Sequence, residues 1–161
     1  MPHGSRGSAV RAIGAGGLVA GALDITFAMI FYGVARGRTA ASVLRSVASG
    51  WLGQPAFEGG AATAALGLAT HFLVAFGAAA VFYVSSRWFP VLRRRPLPAG
   101  IVFGIGLYLF MNYVVIPLSA APFRASTAPK SLVPALAVHM CLIGIPIALC
   151  ARRFGRAEEV A

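Results

Sequence analysis

Four apolar runs dominate the chain: residues 12–35, 61–84, 99–118 and 132–151. A bilayer core of about 30 Å takes about 20 residues of α-helix at 1.5 Å each, so each run is long enough to cross it. In lipid, every backbone amide of an isolated run must bond within that run, which leaves the helix as its only form. The runs therefore predict an all-α, polytopic membrane protein, its 161 residues holding one domain, a four-transmembrane-helix bundle over residues 12–151. Only 11% of the residues are charged and 58% are hydrophobic. A soluble domain carries about a quarter charged residues, so the lipid bilayer must act as solvent here.

The formal net charge of +10 would suit a nucleic-acid partner, but its pattern does not. All fourteen basic residues lie between the apolar runs or at their edges, and none interrupts one. That is how membrane proteins distribute Lys and Arg, and no basic helix remains for a nucleic acid. The N-terminus, the middle loop and the C-terminus together hold nine basic residues, against five in the other two loops. Both termini are expected on the cytoplasmic side of the membrane.

Residues 1–11 read as a disordered, cytoplasmic N-terminus and 152–161 as a cytoplasmic tail ending in Glu158 and Glu159. A signal peptide competes for the first run, with Arg6 and Arg11 ahead of the cleavage-like Ala20-Gly21-Ala22. The run continues through Phe27, Met29, Ile30, Phe31 and Tyr32, which favours an uncleaved helix. Between the first and second runs, Val43, Leu44, Val47, Trp51 and Leu52 recur at helical spacing opposite Ser42, Arg45, Ser46 and Ser49. This predicts a short interfacial amphipathic helix over about 40–53, with Trp51 as its anchor. Tyr83, Trp88 and Tyr113 likewise fall near span boundaries, where interfacial aromatics are expected. Pro146 predicts a kink in the fourth span. Cys141 and Cys150, about 13 Å apart along one helix, are beyond disulfide reach.

Each span holds one strongly polar residue: Asp24, His71, Asn112 and His139. Counted from the outer helix ends at 1.5 Å per residue, they lie about 18, 16, 10 and 12 Å deep, within one layer about 8 Å thick. An ionisable group at such depth is costly and must face the bundle interior, water or a partner. One reading has Asp24 accept a hydrogen bond from one imidazole, fixing its tautomer, while the other histidine and Asn112 complete a cluster that passes protons or binds a cation. The plainer reading is that these residues are interhelical hydrogen bonds holding a small bundle together.

No cofactor is predicted; a b-type haem with His71 and His139 as axial ligands is the alternative. His139-Met140-Cys141 has the composition of a soft-metal site, but consecutive helical residues point about 100° apart and cannot chelate one ion. Hydrolytic chemistry lacks a nucleophile beside a base, since Thr70 does not face His71. Glu58, the one acid of the outer loops, reads as solvated.

Gly17-x-x-x-Gly21 and Gly100-x-x-x-Gly104 are helix-packing motifs, serving contacts within the bundle or a homodimer. They also mark a faint repeat. Gly17–Gly21 and Gly100–Gly104 open the first and third spans; Leu68-Ala69-Thr70-His71 and Leu136-Ala137-Val138-His139 lie in the second and fourth. Two tandem hairpins would place His71 and His139 at equivalent positions.

Thr70-His71, Trp88-Phe89-Pro90, Gly100 to Gly104, Pro117-Leu118, Val138-His139 and Arg152-Arg153 run through the C-terminal two-thirds of the chain. In these features it resembles the YagU-like family of bacterial inner-membrane proteins. The resemblance implies a four-helix plan, with a histidine in the second and fourth spans and a polar residue late in the third. It also implies a link to acid tolerance. Two departures stand out: Asn112 occupies the third-span position where that family would have histidine, and the first loop is shorter. The function expected is that of a small inner-membrane protein whose Asp/His/Asn layer is structural or a weak proton or ion site. A haem b redox protein, and an accessory subunit or assembly factor of a larger membrane complex, are the alternatives.

Overall fold

A computed structural model describes residues 3–124 and 128–155 of the chain. Helix α1 (His3–Arg36) is followed by α2 (Ala40–Leu52), a 3-10 turn (Gln54–Glu58) and α3 (Ala61–Trp88). A short α4 (Val91–Arg94) leads to α5 (Pro96–Phe110), which continues through a π-helical turn (Met111–Val115) into α6 (Ile116–Leu118). The last span is α7 (Pro129–Val138), a second π-helical turn (His139–Gly144) and α8 (Ile145–Gly155). The described residues contain no strand.

Four stretches are long and apolar enough to cross a membrane: Gly7–Arg36, Ala61–Trp88, Pro96–Leu118 and Ser131–Gly155. Their 30, 28, 23 and 25 residues correspond to about 45, 42, 35 and 38 Å of helix, each exceeding the roughly 30 Å core. The radial pattern also suits lipid. Ala20, Ala78, Ala79, Ala148 and Ala151 fill the centre around Phe82 and Ile147, while Leu73, Val81, Val102 and Val133 point outward at 60–69% exposure. Small residues inside and large apolar residues outside are what helices packing within lipid require, where close backbone approach replaces hydrophobic collapse.

In the bundle α1 packs along α3 and α8, α5 packs along the second π-helical turn and α8, and α2 lies on α3. Phe82 and Phe103, edge to face with centroids 5.1 Å apart, join α3 to α5 near the end that carries the termini. At that end Arg93 Nη1 donates to the Gly155 carbonyl at 3.0 Å, binding one of the carbonyls that a helix C-terminus leaves open. The four packing glycines mark seams within the chain. A Cβ on Gly17 or Gly21 would strike Phe76 or Phe72 of α3, and one on Gly100 or Gly104 would strike the backbone of Gly144 or His139.

The expected elements are present with different ends. Residues 3–11, expected to be disordered, are helical: Ser8 and Ala12 are 2% and 3% exposed, so the first turns of α1 dock on the bundle. Residues 1–2, and 156–161 of the expected tail with Glu158 and Glu159, lie outside the described residues. The third and fourth spans start earlier than expected because Pro96 and Pro129 occupy the first helical turn, where a missing N–H costs nothing. Helix α3 runs on to Trp88, its buried Ser86 hydroxyl donating to Tyr83 O at 2.7 Å. Tyr83 itself is 5% exposed, and its hydroxyl lies 3.5 Å from that of Ser8; it is a packing residue, not an interfacial one.

Helix α2 is also more deeply engaged than its sequence implies. Ser49, expected on the polar face, is fully buried, because its hydroxyl is satisfied locally by Ser46 O at 2.7 Å. Thr39 caps the helix by accepting from Ser42 N at 3.2 Å, and Gly53, at a φ of 65° that favours glycine, ends it. The crossing with α3 falls at Gly67, which touches the backbone of Leu44 and Ala48. One turn farther along α3, Thr70 accepts a 3.0 Å hydrogen bond from Trp51 Nε1.

Both π-helical turns end at an Ile-Pro pair, Ile116-Pro117 and Ile145-Pro146. Proline lacks the N–H for the carbonyl one turn back and its ring crowds that carbonyl, so the preceding turn widens. The kink expected from Pro146 takes this form.

Candidate functional site

Asp24 lies on α1, one turn beyond Gly21; His71 lies on α3 where that helix crosses Gly21. His71 Nε2 is 2.9 Å from the Gly21 carbonyl oxygen. A carbonyl only accepts, so Nε2 carries the hydrogen. In the neutral ring this leaves a lone pair on Nδ1, which faces Asp24 Oδ2 at 3.9 Å. Two acceptors that face each other attract only when one holds a proton: imidazolium with carboxylate, or imidazole with carboxylic acid. The tautomer of His71 is therefore set by the Gly21 carbonyl and not by a hydrogen bond to Asp24. Asp24 Oδ2 and His71 Nδ1 are thus near neighbours, 3.9 Å apart, without a direct hydrogen bond between them.

His139 opens the second π-helical turn. Its Nδ1 is 2.9 Å from Ala135 O and so donates, leaving Nε2 as the acceptor. The ring stands edge to face on Tyr108 with centroids 5.3 Å apart. Asp24, His71 and His139 line one cavity of about 150 Å³ together with Val47, Leu107 and Met111. Among the described residues no three of His, Cys, Asp and Glu converge closely enough to hold a metal ion.

Asn112 does not join this group. Its Nδ2 donates to Tyr108 O one turn back in its own helix, at 2.9 Å. It lines a second cavity of about 390 Å³, toward the α2 end of the bundle, with Arg36, Arg38, Arg124, Tyr108 and His139. His139 lines both cavities and is the residue common to them. Three of the four polar residues thus share one chamber, and the fourth lies in the vestibule beside it.

The sequence reading missed the vestibule arginines. Arg36, Arg38 and Arg124 entered only as markers of orientation, although their place at the span ends opposite the termini is a sequence-level sign of a basic mouth. A third cavity, about 580 Å³ and mostly apolar, lies between α2, α3 and the third span. It shares Val47, Val74 and Met111 with the chamber, and Ser46, Ile116 and Phe123 with the vestibule.

For a haem between His71 and His139 the relevant facts are two. Nε2 of His71 is engaged with Gly21 O, and the cavity lined by both rings is about 150 Å³, below the 300–1,000 Å³ or so of ordinary ligand pockets. No family model, curated protein or solved structure matches the chain.

Proposed function

We propose that this is a multi-pass protein of a bacterial inner membrane, with both termini cytoplasmic, whose Asp24–His71–His139 chamber takes up and releases protons. The observation that carries the reading is the convergence of Asp24, His71 and His139 on one cavity, with His71 Nδ1 3.9 Å from Asp24 Oδ2, which gathers three ionisable side chains at membrane depth. His139 also lines the vestibule, its acceptor nitrogen free to relay. The acid-tolerance link implied by the resemblance to YagU-like proteins points the same way.

The structural reading is the weaker one on hydrogen-bond evidence. Of the bonds made by His71, Asn112 and His139, only His71 to Gly21 joins two spans; the other two close within their own helices. A layer serving mainly as interhelical glue would show the reverse. The haem reading is weaker because of the small chamber and the engaged His71 Nε2.

The test is proton flux in proteoliposomes under an imposed pH gradient, for wild type and Asp24→Asn. The proposal expects flux in the wild type and its loss in the variant, with the fold retained. Equal flux in both, accompanied only by lower stability of the variant, would return the layer to a structural role. A Soret band after expression with haem supply would favour the redox alternative, and a stoichiometric co-purifying membrane protein the accessory-subunit one.

A further inference from the structure

The vestibule and the apolar groove together have the form of an amphiphile site. The vestibule is lined by Arg36, Arg38 and Arg124, with Asn112 and Ser131, and among the described residues no Asp or Glu lines it. Glu58, the one acid in these loops, is exposed and is not part of its wall. Arg124 is held by two backbone carbonyls, Ala121 O at 3.2 Å and Phe123 O at 3.0 Å, and Arg36 sits 5.7 Å from the centroid of the Tyr32 ring. The arginines come from the end of α1, the turn before α2 and the loop after α6. They therefore cluster at one level, the outer ends of the spans, where phospholipid headgroups lie.

Beside this basic mouth the 580 Å³ groove runs down between α3 and the third span, from Leu118 and Phe123 to Val74 and Met111. Val74 is thirteen residues beyond Ala61, about 20 Å along the helix and so well within the hydrocarbon. The groove is open at the side: Trp51 and Leu118 on its wall are 64% and 83% exposed. Charge at headgroup level and an apolar channel continuing from it toward the membrane centre match one occupant.

We infer that the protein holds an anionic phospholipid, its phosphate in the vestibule of Arg36, Arg38 and Arg124 and one acyl chain in the groove beneath Trp51. The chain passes the shared residues Ser46, Ile116 and Phe123 where vestibule and groove meet. A lipid seated there covers the mouth through which His139 meets the exterior. It would be a resident component of the site and not one of the exchanging surrounding lipids.

Trp51 reports on this directly. In a Trp88→Phe background, full-length protein is reconstituted in neutral vesicles containing increasing fractions of chain-brominated phosphatidylglycerol or chain-brominated phosphatidylcholine. The expected result is half-maximal quenching of Trp51 at about tenfold lower mole fraction of the anionic lipid, since each basic side chain near a lipid surface strengthens such binding severalfold. The triple variant Arg36→Gln, Arg38→Gln, Arg124→Gln should lose that preference while both lipids still quench. All three side chains are exposed, so the fold is expected to survive. Equal quenching by the two lipids in the parent, or a preference unchanged in the triple variant, overturns the inference. Inorganic phosphate raising the melting temperature of delipidated protein as much as phosphatidylglycerol does would show a soluble-anion site and overturn it as well.

Discussion

His71 reaches across the seam between α3 and α1 to donate to the carbonyl of Gly21, 2.9 Å away. In the other hairpin the corresponding pair is Gly104 against the backbone of His139. The second glycine of each Gly-x-x-x-Gly motif thus meets the histidine of the following span. The match is at the level of helix crossings, and hydrogen bonding breaks it. His139 turns its Nδ1 to Ala135 O within its own helix, leaving the Asp24 side of the bundle with the only interspan bond among these residues.

His71→Ala is expected to lower stability by about 0.6–2 kcal/mol, the range for a hydrogen bond between membrane helices. His139→Ala should cost less through hydrogen bonding, because its bond is local. Unfolding in mixed micelles titrated with sodium dodecyl sulfate compares the two. A larger loss for His139→Ala would contradict the assignment of interspan bonding.

Gly104→Ala and Gly144→Ala each place a methyl group against facing backbone that cannot rotate away, and should cost about 1–3 kcal/mol. Gly77→Ala and Gly106→Ala meet nothing within 4 Å and should be neutral or stabilise by about 0.5–1 kcal/mol through helix propensity. The same unfolding titration separates the pairs. If all four behaved alike, the seams would be misplaced.

The apolar runs made the spans legible, because lipid leaves a run of that length one conformation. Gly17, Gly21, Gly100 and Gly104 were legible as packing residues for a related reason: only close contact explains such spacing in helices otherwise free to carry larger side chains. Depth could be counted along each helix, but rotation could not, and rotation decides which cavity a side chain enters. Asn112 and His139 lie at similar depth, yet only His139 reaches the chamber. The π-helical turns add to this, since each shifts the helical phase that a regular count assumes. Ser49 misled because a serine that bonds its own helix can be buried as an apolar residue is.

Pro146→Ala removes the cause of the turn over His139–Gly144. Reversion to regular α-helix takes out the one-residue offset and turns His139 by up to about 100° relative to α8. Proton flux should fall with little loss of folded protein. Unchanged flux would mean that the widened turn does not set the direction of His139.

Thr70→Val deprives Trp51 Nε1 of its acceptor at nearly constant volume. The expected cost is about 0.6 kcal/mol. In a Trp88→Phe background, the emission of Trp51 should also become more sensitive to a collisional quencher as α2 loosens. An identical spectrum and quenching would show that α2 is held by the Gly67 crossing alone.

The bundle's interior of alanine and glycine has a consequence for how such a chain can diverge. A seam built from backbone contact has no slack: at Gly67, Gly100, Gly104 and Gly144 any side chain meets a neighbour's main chain. The outward-facing leucines and valines need only remain oily. Divergence in this lineage should therefore be concentrated on the outer skin, and a descendant would keep the rhythm of its small residues long after its larger ones had been exchanged.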